Sequence, residues 1–254
     1  MQQQRRPTLR CPIALLVLWC GLVQTAALSL PAGQANADDG SVAEDVTTGI
    51  IEGTLHYHAD PQHPWRYGRY YIKDPKAGNL AEAVVGLHGP RLSNVGVRQE
   101  ITMTVIDQKN FRFVPETIAI RAGDRVKFTN SDPQVHSVRT NDGQPFSINT
   151  PPGGEYTHTF PRGGGVRRPI QIGCTYHSNM AAWIYVFDHP FYQVTSADGR
   201  FRIPDVPAGE YQLHMAHAAG GLFWKKNITV QAGQTVKLEI HASPDGLREA
   251  KNDD

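Results

Sequence analysis

Past residue 49, apolar and polar residues alternate with a period of two along nearly the whole chain. Ile101, Met103 and Val105 alternate with Thr102 and Thr104, and Ile118 and Ile120 with Ala119 and Arg121. Val126 and Phe128 follow a Gly123-Asp124 turn. Ile184 and Val186, Phe201 and Ile203, Tyr211 and Leu213, then Val236, Leu238 and Ile240 continue the pattern. Successive side chains of a strand point to opposite faces, so this period predicts half-buried strands. The Gly, Pro, Asn and Asp between the runs predict turns. No capped amphipathic helix of useful length interrupts them. The expected fold class is all-β, built from antiparallel sandwiches.

The strand runs fall into two sets. One runs continuously over residues 99–188. The other is split around it, into 49–98 (GIIEGTLHYH, AEAVVGLHG) and 189–243 (TSADGRFRIPDVPAGEYQL, NITVQAGQTVKLEIHAS). Neither flanking piece has enough strands to bury a sheet face alone, so the two are expected to share one small sandwich. Residues 38–48 read as a flexible lead-in and 244–254 as a polar tail. The 254 residues carry 40% hydrophobic and 19% charged side chains, ordinary for a folded domain. A net charge of +1 gives no reason to expect nucleic acid as a partner.

The N-terminus changes the picture of compartment. Arg5, Arg6 and Arg10 precede an apolar run over residues 11–30, and Ala35-Asn36-Ala37 follows. This order predicts a secretory signal over residues 1–37, cut after Ala37, or earlier after Ala27. The protein is then periplasmic or secreted. The alternative is an uncleaved anchor, the one route to a membrane association. Trp19 before Cys20 fits a lipoprotein cleavage site poorly. Cleavage removes three Arg and no acid, so the mature chain is mildly acidic. It also removes Cys11 and Cys20, leaving Cys174 alone. Exported proteins use cysteine mainly in disulfide pairs, and a single thiol asks for another role, such as soft-metal ligation.

The segment IQIGCTYHSNMAAWIYV supplies that role. Cys174, His177 and Met180 lie within seven residues, where a tight loop between strands turns them toward one point. SDPQVHSV adds His136 after the strand RVKFTNSD. Two imidazoles, a thiolate and a weak axial thioether are the donor set of a trigonal type 1 copper centre. The competing reading is a buried Cys and Met with incidental His.

On these residues, 99–188 resembles a plastocyanin- or amicyanin-type cupredoxin. FRFVPETIAIRAGDRVKFTNSDPQVHSV is similar to the first half of that family's pattern, and C-x2-H-x2-M to the short ligand loop of amicyanin. The resemblance implies a Greek-key β-sandwich binding one copper ion. His136 would be the upstream imidazole, Cys174 the thiolate, His177 the partly exposed imidazole and Met180 the axial ligand. It also implies single-electron transfer between a protein donor and a protein acceptor, with no catalysis by the chain itself. Where the family often carries Asn after the upstream His, this chain has Ser137, whose hydroxyl can brace the Cys loop in part. The flanking pieces resemble the carboxypeptidase regulatory-like, transthyretin-like sandwich, through D-G-x-F and P-x-G-x-Y. A cupredoxin inserted in that smaller sandwich is the implied architecture.

Other residues carry weaker signals. His56 and His58 share one strand face, with His63 close behind; they read as a polar outer face or as a second metal site. His214 and His217 read as strand-end surface residues, and His189 as a junction residue. Arg162, Arg167 and Arg168 either steer an acidic partner or line a solvated loop. Trp183, Phe187, Tyr176 and Tyr185 read as core. A copper-handling or sensing protein is the alternative function. A copper oxidase or nitrite reductase needs further His clusters that the sequence does not offer.

Overall fold

A computed structural model of the chain describes residues 47–58, 62–65, 68, 70, 72, 74, 76–89, 92 and 100–244. The expected signal segment with Cys11 and Cys20, nearly all of the expected lead-in and all but the first residue of the polar tail lie outside the described residues. Among the described residues no helix is long and apolar enough to cross a membrane.

The fold is all-β. In chain order the strands are β1 (Thr48–Tyr57), β2 (Val84–His88), β3 (Met103–Lys109), β4 (Arg112–Val114), β5 (Thr117–Arg121), β6 (Arg125–Asn130), β7 (His136–Thr140) and β8 (Phe146–Thr150). They continue as β9 (Glu155–Thr159), β10 (Ile170–Gly173), β11 (Ala181–Phe187), β12 (Tyr192–Val194), β13 (Arg200–Pro207), β14 (Gly209–His217), β15 (Leu222–Val230) and β16 (Thr235–Ala242).

Four sheets form, in the orders β13-β1-β16, β12-β2-β14-β15, β5-β11-β10-β7-β8 and β4-β3-β6-β9. The first two are built from strands at both ends of the described chain. β1 runs antiparallel to β13 and parallel to β16, and β2 pairs with β12 and β14. Their facing sides share one core, which includes Ile51, Leu55, Val85, Leu87, Phe201, Leu213, Met215 and Ile240. The other two sheets enclose a second core with Ile106, Phe113, Ile118, Val126, Phe128, Val138, Ile172 and Ile184. A third, smaller core joins the sandwiches. It contains Val84, Val166, Tyr185, Phe187 and Ala216, with Ala119, Trp183, Tyr192, Val194 and Phe223 packed against it.

The sheets therefore stack as four layers around three cores. β11 sits between two of them: Ala182, Ile184 and Val186 face the second core, and Tyr185 and Phe187 the third. A strand buried on both faces needs an unbroken apolar run, and AAWIYVF is one. β2 is placed the same way, with Val85 and Leu87 on one side and Val84 on the other.

One strand reverses the phase suggested by its sequence. Ile101, Met103 and Val105 are exposed, while Ile106 and Gln108 on the opposite face are fully buried. Register explains it, because Ile106 lies beside Phe128 and Gln108 beside Asn130 on β6. Buried Gln108 is satisfied by donating to the Thr150 hydroxyl at 2.9 Å.

Candidate metal centre

β10 and β11 are antiparallel neighbours, with Gly173 opposite Ala181. Residues 174–180 are thus the loop that joins them. Two backbone bonds close it: the Cys174 N–H donates to the Met180 carbonyl (3.3 Å), and the Met180 N–H to the His177 carbonyl (3.1 Å). The Cys174 thiol and Met180 are carried inward into the second core, 4% and 2% exposed, and His177 stays half-buried at the loop surface.

The opposite wall comes from the loop between β6 and β7. Asn130 holds this loop in shape. Its side-chain amide donates to the carbonyls of Gln134 and Thr150, both at 2.8 Å, and its side-chain oxygen accepts the Asp132 N–H at 3.0 Å. His136 follows at the start of β7, fully buried.

Asp132 fixes how His136 presents itself. The His136 Nε2 lies 2.9 Å from the Asp132 Oδ2. An ionised carboxylate only accepts, so Nε2 carries the proton and Nδ1 keeps its lone pair. That Nδ1 lies 3.0 Å from the Nδ1 of His177, and the Cys174 Sγ lies 3.7 Å from the same His177 atom. The ligand atoms of His136, Cys174 and His177 all lie within 4.8 Å of one another. Asp132 also accepts the N–H groups of Asn110 (2.7 Å) and Phe111 (2.9 Å), which ties the β3–β4 turn to the site. Burial pushes the Asp132 carboxyl pKa up, but the bonds from Phe111, His136 and Asn110 outweigh it and hold the group below its ordinary value.

Ser137 braces the sulfur. Its N–H points at the Cys174 Sγ from 3.4 Å, its hydroxyl lies 3.8 Å from the same atom, and the hydroxyl oxygen accepts the Thr175 N–H at 2.7 Å. Phe111 sets its ring edge-on to both imidazoles, with centroids 5.6 Å from His136 and 5.0 Å from His177. Around the centre Val135 (47%), Phe111 (39%) and Tyr176 (52%) are exposed. Ala181, at the start of β11, is only partly exposed.

The donor set fits copper. Two imidazole nitrogens and a thiolate converge from a bracing shell that leaves the lone pair of His136 directed inward. The sequence had not assigned Asp132 or Phe111 a part. An acid four residues before the ligand histidine was the available signal for Asp132; nothing local marks Phe111.

Three further residues correct their sequence readings. His214 and His217 are not surface residues: each is 1% exposed, because β14 is covered on both faces. Tyr176 is not core; it is exposed and bonds the Asn149 side chain at 3.0 Å. His189 is buried and bridges the Leu87 carbonyl and the Phe191 N–H, each at 3.1 Å. Arg167 lies over the Phe223 ring, 5.5 Å from its centroid.

Residues 188–238 match the family model described as polysaccharide lyase family 4, domain II. No curated protein matches the chain. Among solved structures, a copper(I) amicyanin mutant is similar at 19% identity over 34% of this chain and 82% of that one, with a TM-score of 0.31. The purple cupredoxin of Nitrosopumilus maritimus is similar at 19% identity, over 33% and 99%, with a TM-score of 0.29. The copper-containing nitrite reductase of Thermus scotoductus SA-01 is similar at 23% identity over 37% of this chain and 24% of that one, with a TM-score of 0.31. At such scores these likenesses carry no weight beside the geometry of the site.

Proposed function

We propose that this protein is an exported blue-copper electron carrier, with residues 99–188 as its cupredoxin unit and the split sandwich as a support. The observation that carries the reading is the convergence of one ligand atom each from His136, Cys174 and His177 within 4.8 Å. These three atoms would hold one copper ion, with Met180 as the axial ligand. Bound there, copper supplies exchange of single electrons between its two common oxidation states. Asp132 holds the His136 tautomer, Ser137 directs its N–H at the sulfur, and Phe111 covers both rings against water. His177 is half-buried, so its ring is the path by which an electron reaches the surface. The exposed Phe111, Val135 and Tyr176 make a small apolar contact suited to brief docking by a protein donor and a protein acceptor.

The test is the visible spectrum. Copper-loaded protein is expected to show an intense thiolate-to-copper band at about 600 nm. Cys174→Ser should abolish the band while the protein stays folded by circular dichroism. A colourless copper(II) complex of the unaltered chain sinks the reading.

A further inference from the structure

The outer face of the β13-β1-β16 sheet carries a second histidine cluster, on the other sandwich from the thiolate site. β1 and β16 run parallel with His56 opposite His241. His58 is one residue past the end of β1, and its ring lies against that of His241, centroids 4.7 Å apart, so the three imidazoles gather at one end of the sheet. His58 and His241 are exposed and His56 is half-buried. The His58 Nε2 lies 2.8 Å from the His241 Nδ1. The His56 ring stacks on that of His241, with centroids 5.3 Å apart and planes 22° from parallel. His56 is oriented from behind: its Nδ1 donates to the Ala77 carbonyl at 3.0 Å, leaving Nε2 as its acceptor nitrogen. His63, which sequence placed near this group, packs edge-on against Trp65.

We propose that His56, His58 and His241 form a second metal site, for copper(II), independent of the thiolate centre. At 2.8 Å one of these nitrogens donates its N–H to the other, and an ion held by both would take the place of that shared proton. Two ligand nitrogens each about 2.0 Å from an ion and at right angles to one another are about 2.8 Å apart. That is the separation of His58 and His241, and right angles between imidazoles are what tetragonal copper(II) prefers. The thiolate centre shows a related signature, the 3.0 Å between the His136 and His177 nitrogens. His56 stands behind the pair with a carbonyl fixing its tautomer, the arrangement that orients metal-bound histidines. Turns of the exposed His58 and His241 rings bring the ion to the Nε2 of His56, which keeps its bond to Ala77, and water completes the coordination. The cluster has no thiolate, so its copper would be nearly colourless and bound in exchange with solvent.

The site does not rest on the electron-carrier reading, and one experiment separates them. Copper(II) is titrated into the Cys174→Ser full-length chain, and into the unaltered chain already carrying one equivalent of copper, with binding read by electron paramagnetic resonance. In both, an equivalent with a tetragonal signal split by nitrogen nuclei is expected, with no added absorption at about 600 nm. Outer-shell partners alone are worth about 10- to 100-fold in metal affinity, so His58→Gln or His241→Gln should weaken this equivalent at least tenfold. Both positions are exposed, and an unchanged circular dichroism spectrum and melting temperature report that these variants fold. Absence of the second equivalent, or its retention at unchanged affinity in the His58→Gln/His241→Gln double variant, overturns the proposal.

Discussion

Asp132 organises the candidate metal centre without being one of its three donors. One carboxylate accepts two backbone N–H groups of the β3–β4 turn and faces the far nitrogen of His136. It therefore sets both the tautomer of a ligand and the position of Phe111 against the rings. An amide at this position offers a donor as well as an acceptor and carries no charge, so the His136 proton is no longer pinned to Nε2. Asp132→Asn is expected to lower copper affinity by about 10- to 100-fold, the usual scale for such partners. Competition titration against a copper chelator measures this. Unchanged affinity would mean that the ring is oriented by packing alone.

At the scale of elements, the strands that matter most are buried on both faces. β11 leaves the ligand loop and enters the stack directly, so Met180 is followed within a few residues by Ile184, Tyr185 and Phe187, all at most 1% exposed. This anchors one end of the loop without a disulfide. β2 plays the same part in the neighbouring sheet, and its Gly86 admits the Phe187 ring. A Cβ at Gly86 would lie 2.6 Å from the Cε1 of Phe187, 2.9 Å from its Cζ and 3.3 Å from a Val166 methyl. Phe187 stacks on Tyr192, centroids 4.4 Å apart, and has little room to retreat. Gly86→Ala is therefore expected to cost about 1–3 kcal/mol, the usual range for overpacking. Denaturant unfolding would detect it. A neutral result would show that the third core is loosely packed.

For the whole molecule, the stack buries histidines in the neutral form. Desolvation draws the pKa of His189 down to about 4, against the pull of its bond to Leu87 and the charge of Asp188. Desolvation also draws His214 down to about 4, with the charges of His88, Arg167 and Lys225 adding to it. Both ordinarily titrate at 6.5. As pH falls from 7, the unfolded chain takes up these protons first and the folded chain only near 4. Their contribution to stability is therefore complete above about pH 6.5 and is lost progressively as pH drops toward 4. The melting temperature should fall by on the order of 5 °C between pH 7.5 and 4.5. Calorimetry on Cys174→Ser removes the thiolate centre from the measurement. A melting temperature flat over this range would contradict the burial of both rings.

The period-two alternation identified strands, and the lone thiol with C-x2-H-x2-M and an upstream His nominated one set of ligands. Both signals are local: side-chain parity follows from backbone geometry, and the ligand spacing is fixed within one loop and the start of one strand. Which face each strand buries was not local. β3 turned Met103 and Val105 outward because its register against β6 put Ile106 beside Phe128. His214 disappeared inside because a second sandwich covers one face of its sheet, and His217 because it shares the other face with Leu213 and Met215 and packs on Tyr70 in the first core. His241 joined His56 and His58 only because the last strand lies parallel to the first. Asp132 and Phe111 reached the metal centre through a turn and a loop whose sequence separation hides their contact. Alternation records that a strand has two faces, whereas the layer that covers each face is decided by pairing between distant segments.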